Sequence, residues 1–284
     1  IVDGMRWAAG LDVAGATKNA NPARVINISF GGSAACNPAY QEAIDELRAI
    51  GVVVVAAAGN GHGDVKRPAS CAGVIGVAAL NRDGFKANYS NFGPAVVLST
   101  VGGDPPDEGL WGTLLGDDGL LSVDNLGTRR PLSASYGNHA GTSFSAPVVA
   151  GVVSLMLSTN PGLSAAQIID GMRRSARPHV VSERMGACSA QNPGRCACTT
   201  TTCGVGILDA RQALLYAANP ANYVAPVWPV VVIDSNDVIS ATALGADLPP
   251  NTVVAADGSD SGGGAPGAGW LALLAVGLAA LGLV

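Results

Sequence analysis

The sequence predicts an α/β fold in which a parallel β-sheet is covered by helices on both faces. Three apolar segments, at residues 25–32, 52–58 and 74–79, carry this prediction. Apolar strands without alternating polar residues are typical of a parallel sheet that is buried on both faces. The connections between such strands are right-handed crossovers, which place the intervening helices against the sheet.

Helical periodicity occupies the intervals around these strands. Residues 38–50 carry apolar side chains at roughly helical spacing among charged ones, which predicts a strand–helix–strand unit. Helices are also predicted at residues 5–11 and, as an uncharged apolar helix, at residues 145–159. Asp209 is predicted to cap a last helix that runs through residue 218.

Candidate site residues follow the carboxyl ends of two predicted strands, where open α/β sheets bind ligands. They are residues 29–32 and the pair Gly59 and Asn60. Another candidate is Ser143, because residues 141–147 (GTSFSAP) form a glycine turn that opens into the apolar helix. Unpaired N–H groups and the helix dipole favour an oxyanion there, and Pro147 fits the first helical turn. The structural alternative for this serine is a helix N-cap.

Four segments occur in a fixed order: residues 25–32 (VINISFGG), 56–60 (AAAGN), 89–93 (YSNFG) and 141–151 (GTSFSAPVVAG). Together they resemble the motifs of the subtilisin-like serine peptidases, the subtilase family, across residues 1–215. The resemblance implies a parallel-sheet, three-layer subtilisin-like fold that is incomplete at the N-terminus. It also implies a serine endopeptidase that hydrolyses extended protein substrates through an acyl-enzyme.

Carried over residue by residue, the resemblance makes Ser143 the acyl nucleophile and Asn60 the side-chain donor of the oxyanion hole. An amide N–H from Asn60 and the backbone N–H of Ser143 suit the charge of a tetrahedral intermediate. The alternatives are a turn residue for Asn60 and plain structural bends for the glycine-rich edges. The resemblance further implies a strand-like substrate edge and a pocket floor, formed by Ser29, Phe30 and Gly31 and by Ala56, Ala57 and Ala58 respectively.

Two catalytic motifs of the family are missing: an aspartate at the end of an early strand, and a His-Gly-Thr-His segment that opens a helix. The chain is therefore interpreted as a fragment that begins after them, and is expected to have essentially no peptidase activity by itself. Three histidines are candidates for a substitute base: His62, His139 and His179. His139 precedes Ser143 by four residues and is predicted to lie in a solvent-exposed turn.

Two other function classes remain open at this stage. A non-catalytic subtilase-like module would bind extended peptides through the edge at residues 29–31. Retention of both Ser143 and Asn60 favours the enzyme, because a binding module needs neither. Another serine hydrolase, such as an esterase, is disfavoured because Ser145 stands where the Gly-x-Ser-x-Gly motif has its last glycine.

The six cysteines form an even set, which predicts disulfides in an exported protein. Exported subtilases carry a cysteine pair at similar places, so the resemblance implies that Cys36 pairs with Cys71. Cys196 and Cys198 are too close in sequence to bridge each other, so both are expected to pair outward, in either order, with Cys188 and Cys203. Zinc binding by these four is the alternative, which the Cys-x-Cys spacing disfavours.

The composition fits an exported globular enzyme, with 48% hydrophobic residues, 13% charged residues and a net charge of −5. No basic patch or aromatic motif for nucleic acid is present, so the expected partners are peptide or protein substrates. The chemistry requires no cofactor, and no metal-binding residue is predicted. Structural calcium, common in the family, is left open with candidates chosen by chemistry alone: Asp64, Asp104, Asp107, Asp117 and Asp118.

Residues 203–210 (CGVGILDA) resemble the segment that ends many subtilase domains, so the catalytic domain is predicted at residues 1–219. Residues 220–260 are predicted to be a linker, and residues 261–284 a glycine-rich spacer with an apolar segment. That segment is interpreted as a membrane anchor or as a signal that a sorting protease removes. The protein is thus expected to be exported, either secreted or tethered at the bacterial cell envelope. Within the domain, residues 110–130 are predicted to be a surface insertion.

Overall fold

The computed structural model describes residues 1–105, 117, 119–127 and 129–234, all within one compact unit, Ile1–Asn251. In these residues, parallel strands form a four-stranded sheet in the order β1-β2-β3-β4. The bounds are β1 Val25–Ile28, β2 Val53–Ala57, β3 Ile75–Leu80 and β4 Leu98–Val101. The predicted parallel α/β sheet is confirmed.

The sheet is the middle layer of three. Every residue of β2 and β3 is buried, which explains why their sequences show no polar alternation. Successive side chains of β2 nevertheless pack into two different hydrophobic cores, with Val53 and Val55 on one face of the sheet and Val54 on the other. The sheet therefore needs helices on both sides.

Helices α1 and α2 cover one face, and α3, α4 and α5 cover the other. Their N-termini are capped by side chains where the sequence supplies them: Asn37 caps α2, Ser164 caps α4 within a capping box, and Asp209 caps α5 as predicted. The helices have these bounds: α1 Val2–Ala8, α2 Pro38–Ala49, α3 Thr142–Thr159, α4 Ala165–Ser175 and α5 Ala210–Ala218.

Helix α3 is the central helix of its layer. It contacts all four strands and α5, and its buried residues include Val149, Val153 and Met156. By length and composition alone it is apolar enough to cross a membrane, but 44% of it is buried within the protein. Its apolar character is therefore explained by packing in the core.

An antiparallel pair of strands occupies part of the predicted surface insertion at residues 110–130 and the residues that follow it. Strand β5, Leu120–Asn125, pairs with β6, Ala134–His139. Several apolar side chains of this pair are exposed, including Val123 and Tyr136. His139 consequently ends a strand, whereas the sequence predicted an exposed turn.

Disulfides join all six cysteines in three pairs. Cys36 bonds to Cys71, which ties the loop before α2 to the loop before β3. The other two pairs are Cys188–Cys196 and Cys198–Cys203. The Sγ atoms of Cys188, Cys198 and Cys203 lie within 4.8 Å of one another, yet each is bonded to another sulfur, which argues against the zinc alternative.

Residues 220–234 contact the rest of the described chain near both ends of the segment. Tyr223 is buried and packs edge-on against Tyr216 at 5.5 Å, and Val232 pairs with Val181. The predicted linker beyond residue 234 and the apolar segment at 261–284 lie outside the described residues. The domain boundary at residue 219 stays a prediction.

Candidate active site

Ser143 lies in the first turn of α3, which begins earlier than the sequence predicted. The helix starts at Thr142, and Gly141 before it has φ 147° and ψ 153°, a backbone conformation that favours glycine. Ser143 is half-buried, and its hydroxyl donates a hydrogen bond of 3.1 Å to the carbonyl oxygen of Ser29. The Thr142 N–H is bonded to Asn60 and the Phe144 N–H to the Gly141 carbonyl, so within the described residues the Ser143 N–H is the first-turn donor without an acceptor. The position of this N–H at a helix N-terminus suits an oxyanion.

Pro147 is inside α3, not in its first turn as the sequence predicted. Proline has no N–H, so the carbonyl of Ser143, four residues earlier, loses its helical donor. The hydroxyl of Ser29 takes that place and donates to the Ser143 carbonyl oxygen at 2.7 Å. Ser29 and Ser143 are therefore joined by two reciprocal hydrogen bonds.

Asn60 lies at the carboxyl end of β2 and is held by Thr142. Its Oδ1 accepts hydrogen bonds from the Thr142 backbone N–H at 3.0 Å and from the Thr142 hydroxyl at 2.7 Å. The same hydroxyl oxygen accepts from the backbone N–H of Gly59 at 3.1 Å. With Oδ1 occupied by donors, Nδ2 has no partner among the described residues, and a Cβ added at Gly141 would lie 3.2 Å from it. The amide nitrogen thus faces the turn that carries Ser143.

The predicted substrate edge adjoins this turn. Residues 29–31 follow β1, and Phe30 is 57% exposed. Gly32 donates its N–H to the carbonyl of Arg67 at 2.8 Å, which ties the edge to a second loop. The three alanines of the predicted pocket floor are buried, Ala57 in the core on the α3 face and Ala56 and Ala58 in the core on the α2 face.

Comparison with known protein families shows to which family this chain belongs. The sequence model of the Subtilase family matches residues 1–202 of the chain. The chain belongs to the subtilase family. The sequence resemblance and the predicted fold class are thereby confirmed.

Individual subtilases resemble the chain over most of its length. It is 39% identical over 222 residues to an extracellular protease of Xanthomonas campestris pv. campestris, covering 77% of this chain and 33% of that protein. It is 32% identical over 232 residues to an extracellular basic protease of Dichelobacter nodosus, covering 81% and 34% respectively. Solved proteases from Pseudoalteromonas arctica PAMC 21717 share 36% identity at a TM-score of 0.64, covering 76% of this chain and 57% of theirs. The chain thus spans about a third of the length of these two curated relatives.

The histidines of this subtilase each have a partner other than Ser143. His62 Nδ1 lies 2.7 Å from the carbonyl oxygen of Asn88. His139 stacks on Phe144 with ring centroids 5.2 Å apart, and its Nε2 lies 3.8 Å from an Asp124 carboxylate oxygen. His179 is buried and its Nε2 lies 2.9 Å from the Gly204 carbonyl oxygen. Burial lowers the pKa of His179, an effect that the Gly204 carbonyl opposes.

A buried charged cluster that the sequence did not reveal holds the backbone of residues 87–90. Asp104 accepts hydrogen bonds from Arg195 Nε at 2.7 Å and from the Asn88 backbone N–H at 2.8 Å, and lies 2.6 Å from Arg195 Nη2. Burial raises the pKa of Asp104, while Arg195 opposes that rise. Lys86 is fully buried and donates to the carbonyls of Ala87, Asn88 and Ser90. Burial lowers the pKa of Lys86 to about 7.

Two of the calcium candidates, Asp104 and Asp117, have protein partners in the described residues. Asp104 is paired with Arg195, and Asp117 accepts from three backbone N–H groups, those of Arg82, Asp104 and Gly119. Asp64 is exposed. Asp107 and Asp118 lie outside the described residues. A calcium site therefore stays a prediction without assigned ligands.

Proposed function

We propose that this subtilase is a serine endopeptidase in which Ser143 is the nucleophile and Asn60 is an oxyanion-hole donor. The observation that carries the proposal is the arrangement of the Asn60 amide, whose oxygen is held by two bonds from Thr142. That arrangement leaves Nδ2 facing the Ser143 turn. A donor fixed in advance needs no reorganisation when negative charge develops on a substrate oxygen.

The reaction begins with attack of Ser143 Oγ on a peptide carbonyl carbon. The hydroxyl proton must pass to a general base, which later protonates the leaving amine. The family's aspartate and His-Gly-Thr-His motifs are missing from this sequence, and within the described residues the Ser143 hydroxyl bonds to Ser29 and to no histidine. We therefore propose that the histidine base and its orienting aspartate come from residues outside these 284. The carbonyl oxygen becomes an oxyanion, which the Asn60 amide and the Ser143 N–H would stabilise. Collapse of this intermediate expels the amine and leaves the acyl-enzyme for hydrolysis.

The substrate is an extended peptide segment that pairs with the edge at residues 29–31. Main-chain pairing gives affinity for many sequences, while side-chain pockets give preference. The reciprocal hydrogen bonds between Ser29 and Ser143 support this proposal, because they fix the edge next to the nucleophile. Ala56, Ala57 and Ala58 are proposed to form the floor beneath this edge.

The protein is proposed to act outside the cell. Two relatives are named extracellular proteases, and the three disulfides suit an oxidising compartment. We further propose a catalytic domain at residues 1–219, a linker at 220–260, and tethering to the envelope by residues 261–284 unless a sorting protease removes them. Structural calcium is a further proposal, and its removal with a chelator would lower the thermal stability.

The test uses protein expressed from the complete coding region and a quenched fluorescent peptide substrate. Ser143→Ala is expected to abolish turnover, whereas Ser154→Ala, an exposed serine of the same helix, leaves it unchanged. Asn60→Ala is expected to lower kcat about 10²–10³-fold with little change in KM. The chain of residues 1–284 alone is expected to show no turnover.

Two results would contradict the proposal. Turnover that survives Ser143→Ala would mean that another group is the nucleophile. A complete protein that binds extended peptides without cleaving them would instead be the peptide-binding module. In that case Ser143→Ala would leave the peptide affinity nearly unchanged.

A further inference from the structure

Asn91, in the segment between β3 and β4, binds the loop that follows β2 through its whole carboxamide. Its Oδ1 accepts hydrogen bonds from the backbone N–H groups of Gly61 at 2.8 Å and Gly63 at 3.1 Å. Its Nδ2 donates to the carbonyl oxygens of Ala58 at 3.1 Å and Asp64 at 3.0 Å. The side chain therefore bridges both ends of a short loop, and that loop contains Asn60.

The contact is close as well as polar. Asn91 is only 5% exposed, and its backbone N–H also donates to the carbonyl of Gly59 at 2.8 Å. Gly59 has φ +108°, and a Cβ added there would lie 2.4 Å from Asn91 Nδ2. The glycine before Asn60 thus allows Asn91 to approach the loop, and a buried amide with four partners holds it in one conformation.

Asn60 is consequently fixed from two directions. Thr142 holds the oxygen of its side chain, and Asn91 holds the backbone immediately before and after it. A side-chain donor is only as well placed as its backbone, and a displacement of about 1 Å from productive geometry costs about 10²-fold in rate.

We propose that Asn91 is a positioning residue for the oxyanion hole, acting through Asn60. Asn91 is buried, so the role proposed for it is indirect. The inference rests on the proposed role of Asn60, and it predicts a specific energetic coupling between the two asparagines.

Asn91→Asp is the informative substitution, because it preserves shape. The carboxylate keeps an acceptor for Gly61 and Gly63 but loses both donor bonds, and it places oxygen against the carbonyl oxygens of Ala58 and Asp64. The matched control is Asn160→Asp at the other end of α3. Asn160 also accepts from a backbone N–H, that of Gly162, and donates to a carbonyl, that of Ala217, with one bond of each kind where Asn91 has two.

The experiment is a double-mutant cycle on peptide hydrolysis by the complete protein. Asn91→Asp is expected to lower kcat about 10–100-fold, with KM changed by less than about threefold. In the Asn60→Ala background the same change is expected to lower kcat by less than about threefold, since the donor it positions is gone. The affinity of a peptide aldehyde, which forms an oxyanion adduct, should fall in parallel with kcat. Asn160→Asp is expected to leave both quantities within about twofold.

Several outcomes would overturn the inference. An equal fall in kcat in both backgrounds would show that Asn91 acts independently of Asn60, and a rise in KM alone would indicate a binding role. If Asn60→Ala leaves kcat unchanged, the proposed oxyanion role itself fails, which is a distinct result. Circular dichroism and urea unfolding verify that each variant folds. If Asn91→Asp does not fold, Asn91→Ser replaces it in the same cycle, with the same coupling expected.

Discussion

Thr142→Val tests how the candidate oxyanion hole is held together. Thr142 is fully buried, and its hydroxyl links the Asn60 amide oxygen at 2.7 Å to the Gly59 N–H at 3.1 Å. Valine has nearly the same shape, so the change removes these two hydrogen bonds without opening a cavity. The Gly59 N–H is left without an acceptor, and together the two losses should lower the free energy of unfolding by about 2–4 kcal/mol.

The same change should also slow catalysis. Asn60 Oδ1 keeps its bond from the Thr142 backbone N–H, so the amide is loosened but not released. We expect kcat to fall about tenfold, less than for loss of the donor itself, which costs about 10²–10³-fold. Urea unfolding measures the stability, and hydrolysis of a fluorogenic peptide by the complete protein measures kcat.

Thr142→Ser is the matched control, because serine retains the hydroxyl and loses only a methyl group. It is expected to keep kcat within about threefold of the parent protein, although the lost methyl costs about 1 kcal/mol of stability. If the valine and serine variants were equally active and equally stable, the hydroxyl would have no part in holding Asn60. The reasoning from these hydrogen bonds would then be refuted.

Two further predictions concern the helical layer and a buried histidine. Gly171→Ala should destabilise the protein by about 1–3 kcal/mol in urea unfolding, because its Cβ would lie 2.4 Å from Tyr216 Cδ1. Gly151→Ala, whose Cβ meets no atom within 4 Å, should be neutral or stabilising, and an equal loss in both variants would contradict the packing argument. Because burial depresses the pKa of His179 below its ordinary 6.5, its contribution to stability is fully present above pH 6.5 and is lost as pH falls through the folded pKa. His179→Gln should therefore flatten the decline of the urea midpoint below pH 6.5, and an unchanged decline would exclude this histidine as its source.

The strands and the first helices could be predicted from sequence because their signals are local. Residues 53–57 form a strand in which every side chain is buried, and the uninterrupted run of apolar residues indicates this burial directly. The helix at 38–49 has a capping asparagine and an apolar stripe, which are also local features. The candidate site was predictable for a related reason, since Asn60 and Ser143 stand in short segments whose order resembles the family.

The remaining features depend on contacts between distant parts of the chain. Asp104 and Arg195 are 91 positions apart, so neither residue alone indicates that the other will neutralise it in the interior. The sequence predicts that Pro147 lies in the first helical turn, where its missing N–H costs no hydrogen bond. In the folded chain Pro147 lies further inside the helix, and the Ser29 hydroxyl donates to the Ser143 carbonyl that proline leaves without a donor. A contact between residues so far apart in sequence is not visible to local rules. Asn91 stands in the YSNFG motif, but the sequence does not indicate what it binds, because the four backbone partners of its side chain become neighbours only in the folded chain.

The contacts of α3 have a consequence for when the candidate site forms. This helix touches every strand of the parallel sheet, yet it begins at Thr142, well after the last of those strands ends at Val101. A ribosome adding about 5–20 residues per second completes the sheet segments seconds before the helix emerges. Until the helix docks, Asn60 has neither of its bonds from Thr142, and Ser143 has no partner in Ser29. The order of synthesis therefore delays assembly of this candidate site until α3 has been made and has docked on the sheet.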